Sequence, residues 1–266
     1  MSRLRQGLAE TGHIVKNCAS RRAYRTGVGE MPLFDIDARV REREVMDDPK
    51  LDAAEHDRAL QGLSRLNAIS RSTRILWRPI ARLARSRGAK LRVLDVATGS
   101  GEVLLDLWQK AFRAGIPLEI LGTDVNPHAV EFARERAAQR KIPVDCRVCN
   151  AVTGELPSGF DVVISSLFFH HLAEDQAAAL LQKMADAARH LVLVNDLHRS
   201  RAGLVLVATA SRVVTTSRVV HIDAVRSLRA AFTVSEMRLL ADAVGLEGVA
   251  VGHRWPCRFL LSWEGG

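Results

Sequence analysis

A chain of 266 residues, 47% hydrophobic and 26% charged, can bury one α/β core with an extension, which excludes a disordered polymer. Its formal net charge of +8 permits nucleic acid or an anionic membrane surface as a partner but requires neither, since an arginine-rich proteome gives the same balance. The longest apolar run, Gly203 to Ala210, is far too short to span a bilayer, and the opening Met-Ser-Arg-Leu-Arg has no apolar core, so no membrane span and no secretory leader are expected.

Cysteines stand at positions 18, 146, 149 and 257. Cys146 and Cys149 have C-x-x-C spacing, but they fall on an expected strand, where residues three apart face opposite ways. With no second pair at ligand spacing, no metal is expected, and scattered unpaired cysteines fit a reducing cytoplasm.

Residues 1–45 are polar and mixed in charge without a sustained period, which predicts a mobile or loosely packed arm. Met46-Asp47-Asp48-Pro49 has the composition of a helix start. Residues 51–87 then read as two helices broken near Ser70 to Ser72, closed by Gly88, so that 46–89 forms a helical extension covering substrate or contacting another copy. Arg71, Arg74, Arg78, Arg82 and Arg85 line one side of it, either as a phosphate-binding stripe or as a solvated face. No aromatic residues interleave with them as a nucleic-acid stacking surface would need.

From residue 90 to 266 strand and helix patterns alternate, which predicts a parallel sheet with helices on both faces. Strands are expected at 91–96, 118–124, 144–151, 161–166 and 191–196, with a closing pair at 246–251 and 258–263. Helices are expected at 102–113, 127–140, 173–188, 202–214 and 233–244, the last opened by a capping box of Thr233 and Glu236.

The most informative segment is Val93-Leu94-Asp95-Val96-Ala97-Thr98-Gly99-Ser100-Gly101-Glu102-Val103: a strand, an acid, a glycine turn and a helix start. Glycines let a ligand approach bare backbone, and the carboxyl end of a first parallel strand is where such sheets bind nucleotides. Leu104 occupies the third position of a G-x-G-x-x-G fingerprint, which argues against a dinucleotide. Asp124 closes the second strand, where a carboxylate can accept both ribose hydroxyls or cap the next helix. Asn150 closes the third, where an amide can meet an adenine edge.

On these residues the chain resembles the class I S-adenosylmethionine-dependent methyltransferases, in the group of quinone-biosynthesis and small-molecule enzymes, over Leu91 to Trp263. The resemblance implies a Rossmann-like, mostly parallel sheet of seven strands with its last pair partly antiparallel. It implies S-adenosylmethionine as cofactor and S-adenosylhomocysteine as product. Asp95, Gly99 and Gly101 match the first motif, with Ala97 where that motif has its first glycine. Asp124 matches the ribose-binding acid, Val125 the residue packed on adenine, Asn150 and Ala151 the site after the third strand. Ser165 and Ser166 match the segment beside the methionine portion.

A hydroxyl nucleophile must lose a proton, which suits histidine. Three candidates follow. His170 and His171, in Phe168-Phe169-His170-His171-Leu172, stand after the fourth strand, though in the resembled family a similar run also occurs as scaffold. Asp196 orienting His198, with Arg199 holding an anionic group, forms the second, or else a surface salt bridge. His221 with Asp223, on a segment covering the pocket, forms the third, and the apolar run 204–214 suits either a greasy substrate or core packing. The implied reaction is methylation of a hydroxyl, or of an activated ring carbon, on a small phenolic or polyketide-like molecule of secondary metabolism. An RNA methyltransferase and a non-catalytic binder of the cofactor are the alternatives; nucleic acid is the less favoured partner, because the fourth strand ends in Ser-Ser-Leu-Phe.

Overall fold

The computed structural model describes residues 36–47 and 72–265, together with 51, 52, 54, 55, 58, 59 and 62. Cys18, Arg71, most of the expected arm and most of the first extension helix lie outside the described residues.

One seven-stranded sheet organises the domain, with strands β1 (Leu91–Val96), β2 (Leu118–Asp124), β3 (Asp145–Val148), β4 (Phe160–Ser166), β5 (Ala188–Leu197), β6 (Ala250–Arg254) and β7 (Arg258–Glu264) in the order β3-β2-β1-β4-β5-β7-β6. Strands β1 to β5 are mutually parallel, and β7 runs antiparallel to both β5 and β6. The central strands are buried on both faces, the normal state of a parallel sheet. This is the Rossmann-like α/β architecture expected from the alternating pattern.

One face carries α1 (Ser72–Arg87), α2 (Glu102–Arg113) and α3 (Pro127–Gln139). They bury Leu76, Ile80, Leu104, Leu107 and Val130 against Val93, Ile120 and Ile164 of the sheet. The other face carries α4 (Glu174–Ala187) and α7 (Val234–Ala243), which pack Leu181, Met184 and Met237 onto Leu94, Val163 and Val192. Two further helices, α5 (Arg201–Val214) and α6 (Arg218–Ala230), sit together after β5. Four of the helices start on a local side-chain oxygen. Asn126 caps α3, Ser200 caps α5, Ser217 caps α6, and Thr233 with Glu236 closes a reciprocal box on α7. A cap of this kind contributes about 1 kcal/mol.

Three elements differ from expectation or add to it. The sixth strand begins at Ala250, not Leu246, because Gly245 and Gly248 both have positive φ, and Leu246 donates back to Ala241 O in a helix-terminating turn. Strand β3 ends at Val148, because Asn150 Oδ1 accepts the amides of Val152 and Thr153 and folds the chain into a turn. The segment carrying His221 and Asp223, expected as a cover without an assigned structure, is helix α6.

Residues 36–45, the end of the expected loose arm, are fastened instead. Arg39 donates to the carbonyls of His170, Leu172 and Ala230 and lies on the ring of Phe232. Asp223 accepts the amides of Val45 and Met46, opening a 3₁₀ turn at Val45–Asp47. Asp223 is thereby an end cap for that turn, and His221 Nε2 lies 2.8 Å from Thr215 O, so neither is a candidate base.

Candidate active site

The loop after β1 is built around carboxylates. Asp124, at the end of β2, accepts the Gly99 amide at 2.8 Å through one oxygen and the Asn126 amide at 2.9 Å through the other. Asp95, 1% exposed, accepts Thr98 Oγ1 at 2.7 Å, while its Oδ1 has no partner among the described residues. Burial pushes the Asp95 carboxyl up to about 7, with the charge of Asp124 adding to the shift against the Thr98 bond.

The turn itself is left-handed at three positions: Ala97 at φ 58, Gly99 at 54 and Gly101 at 75. A Cβ on Gly99 would meet nothing within 4 Å, so the main chain there borders open space. A Cβ on Gly101 would press on Ala133 and Leu104 at 3.0 Å, so this glycine serves close packing of α2 on α3. Val125 is 59% exposed beside the crevice, Asn150 is exposed, and Ala151 is buried under the turn that follows β3. Ser165 is turned inward: its hydroxyl donates to Val96 O at 3.1 Å, tying β4 to β1, so its side chain does not line the crevice as expected. Ser166 Oγ accepts Asn195 Nδ2 at 2.9 Å.

Strands β4 and β5 deliver the second group of side chains. After β4 the chain turns through Leu167, at φ 59, into a 3₁₀ turn at Phe169–His171. Asp196, wholly buried near the end of β5, places Oδ1 at 2.7 Å from His170 Nδ1 and accepts the His170 amide through Oδ2 and the Leu197 amide through Oδ1. Burial alone would raise this carboxyl, but the His170 ring and these donors hold it below the usual carboxylate range. An ionised Asp196 accepts from a proton-bearing His170 Nδ1, so that in a neutral ring Nε2 is the atom with the lone pair. His171 is exposed, its ring 4.1 Å from that of His170.

The expected pairing of Asp196 with His198 is therefore not formed; the carboxylate serves His170. His198 instead meets His253 edge to face at 4.3 Å, and its Nδ1 has no partner among the described residues. Desolvation first, and the neighbouring His253 and Arg199 next, hold the His198 ring below its usual range. It borders a cavity of about 660 Å³ between α5 and the β6–β7 turn, with Val205, Leu206, His253, Trp255 and Cys257 among the walls.

Arg199 does not hold an anion either. It is buried, donates to Ile36 O and Ala231 O, and forms a two-point pair with Glu236 at 3.0 and 2.6 Å. Arg74, Arg78, Arg82 and Arg85 face solvent on α1. Cys146 is buried with its thiol pushed up to about 11 by desolvation, as an inert core cysteine should be. Glu44, on the segment fastened beside α6, was not among the candidates because nothing in its local sequence marks it; its side chain lies with His170 and His171.

Residues 93–190 match the family described as methyltransferase domain. The demethylmenaquinone methyltransferase of Deinococcus radiodurans is 28% identical over 120 residues, covering 44% of this chain and 48% of that protein. The ribosomal protein L11 methyltransferase of Geobacter sulfurreducens is 35% identical over 131 residues, covering 45% and 40% respectively. This chain thus spans about half the length of the curated relatives it matches. Among solved structures, the S-adenosylmethionine-dependent methyltransferase SibL in its apo form aligns over 98% of this chain and 76% of its own at 19% identity and a TM-score of 0.61. The plantazolicin methyltransferase BamL, solved with a triazolic desmethylPZN analog and SAH, aligns over 78% and 89% at 15% identity and 0.59. Both are likenesses of fold.

Proposed function

We propose that this chain is a class I S-adenosylmethionine-dependent methyltransferase that methylates a hydroxyl, or an activated ring carbon, of a small phenolic or polyketide-like molecule. The observation that carries the reading is the juxtaposition of two carboxylate-built devices at adjacent strand ends. The Asp95–Asp124 loop follows β1 and β2, and the His170–Asp196 pair follows β4 and β5.

The cradle fits S-adenosylmethionine. The main chain at Gly99 borders open space, and Asp124 presents a carboxylate whose remaining lone pairs suit ribose hydroxyls. The unpartnered Oδ1 of Asp95 leaves a buried polar atom beside the loop without a protein partner among the described residues. Val125, and Asn150 with Ala151 behind it, are the residues assigned to the adenine. When bound, S-adenosylmethionine supplies an electrophilic methyl group on a sulfonium.

The chain's own residues do the rest. His170, fixed by Asp196 through both its ring and its amide, turns Nε2 to the acceptor side and engages the hydroxyl to be methylated. Its carbonyl is held by Arg39, so the turn is clamped from two directions. The cavity walled by Val205, Leu206 and Trp255 is assigned to the apolar body of the acceptor. In-line transfer depends chiefly on holding the reactants at attack distance, which rigid strand ends supply.

The direct test is mass spectrometry of phenolic and polyketide-like acceptors incubated with the protein and methyl-labelled S-adenosylmethionine. A labelled product whose yield collapses in His170→Ala supports the assignment. Cofactor binding by calorimetry with no label on any acceptor would leave a binding protein instead.

A further inference from the structure

His170 does not stand alone after β4. Glu44, His170 and His171 each direct one ligand-type atom into a group whose members lie within 4.8 Å of one another. These residues come from two distant segments, the strap before α1 and the turn after β4, so only the fold brings them together. The supports behind them are unusual for a surface turn. Asp196 fixes the His170 ring through Nδ1 at 2.7 Å and binds the His170 amide, and Ser227 Oγ donates to Glu44 Oε1. A carboxylate behind a histidine is the arrangement that orients metal-ligating imidazoles in general. Two of the three side chains thus have their orienting partner in place.

We propose that Glu44, His170 and His171 bind a divalent transition-metal ion of the zinc class, leaving its remaining positions open toward the acceptor. Two imidazole nitrogens with one carboxylate oxygen match the donor preference of Zn²⁺ and its first-row neighbours. They do not suit Mg²⁺ or Ca²⁺, which take oxygen. Three protein ligands on an exposed rim describe an open site, since His171 is exposed and Glu44 half-buried while His170 is buried. The inference rests on the methyltransferase reading for its role, though not for its existence, and it specifies how His170 Nε2 is used. A cation held there lowers the pKa of an acceptor hydroxyl on its open side, and the released proton passes to water. An oxygen lone pair then forms the new O–C bond as the C–S bond of the sulfonium breaks, its electron pair returning to sulfur. The acceptor class narrows to molecules with an oxygen free to approach a cation, such as phenols with a neighbouring oxygen.

The test uses the full-length protein stripped with a chelator and dialysed, then titrated with Zn²⁺ by calorimetry and with Co²⁺ by visible absorption. The expected result is one ion per chain at this site, with affinity at least tenfold weaker in Glu44→Gln and in His171→Asn. Asp196→Asn should weaken it by about 10–100-fold through the ring it orients. Circular dichroism identifies any variant that fails to fold, and Glu44→Gln, on the half-buried strap, keeps the test open if Asp196→Asn does. Absence of stoichiometric binding, or affinity unchanged in Glu44→Gln and His171→Asn, overturns the site. If methyl transfer persists in chelator without metal binding, the cation falls and the methyltransferase reading stands. If the ion binds but S-adenosylmethionine does not, the site stands and the proposed reaction falls.

Discussion

The carboxylate of Asp124 holds the amide of Gly99 at 2.8 Å, so the residue assigned to the ribose also shapes the loop around it. Its second oxygen fixes Asn126, the cap of α3. Asp124→Ala should therefore weaken S-adenosylmethionine binding by at least tenfold, about 1.4 kcal/mol, and also lower stability by ~1–2 kcal/mol through the freed amides. Calorimetry and urea melts measure both. An unchanged dissociation constant would remove Asp124 from the cofactor site.

Ala97 and Gly99 make a contrasting pair. Ala97 sits at φ 58, a left-handed conformation that costs an alanine ~1–2 kcal/mol, partly offset in any glycine variant by the entropy of the unfolded chain. Ala97→Gly should raise stability by ~0.5–1 kcal/mol with cofactor affinity retained. Gly99→Val should do the reverse on both counts, because φ 54 strains a β-branched residue and its side chain would fill the open space beside the loop. Thermal melts with and without cofactor distinguish the two. Normal binding in Gly99→Val would place the ligand elsewhere.

Asp95 gives a pH dependence of defined sign. Its carboxyl is pushed up to about 7 by burial, whereas an unfolded carboxyl titrates near pH ~4. Between those values the folded state holds the proton that the unfolded state has lost, so stability falls as pH rises through that window. Urea melts of the cofactor-free protein should lose ~1–3 kcal/mol between about pH 4 and 7, and Asp95→Asn should flatten that slope. A wild-type slope of the opposite sign would show that this carboxyl is not held protonated.

Arg199 is predicted to be structural. It is fixed by Glu236 and two carbonyls deep beside α7, so Arg199→Met should cost ~2–3 kcal/mol while leaving the acceptor KM of the folded fraction unchanged. A stable variant with a raised KM would restore the anion-holding role that its position after the fifth strand suggested.

Much of the fold was legible because parallel strands buried on both faces read as continuous apolar runs, and because the capping box at Thr233 marks a helix start locally, whereas the helix after β2 is capped by Asn126 and not by Asp124. The glycine turn was legible too: Asp95, Gly99, Gly101 and Asp124 lie at and just after the ends of β1 and β2, where the pattern of strands and helices put them. The acceptor side was not. Asp196 lies two residues from His198 in the chain, yet its side chain is consumed by His170 of the neighbouring strand's turn, a choice made by the β4–β5 register and not by spacing. Glu44 joins that turn only because Asp223 and Arg39 fasten the strap across α6 and Phe232, contacts between segments far apart in sequence.

That exchange of partners sets the last expectation. With Asp196 committed to His170, removal of the His170 ring should reduce labelled-methyl transfer by at least ~10²-fold, with cofactor affinity little changed. His198→Ala should cost less than about tenfold and act mainly on KM, because His198 lines the apolar cavity without a carboxylate behind it. Asp196→Asn should reproduce much of the His170→Ala loss, since an amide at that position no longer selects the Nδ1–H tautomer. Steady-state kinetics on the three variants decide the matter. A collapse of kcat in His198→Ala with His170→Ala unimpaired would return the base to the far side of β5, and the buried Asp196–His170 pair would then be a strut for the turn after β4.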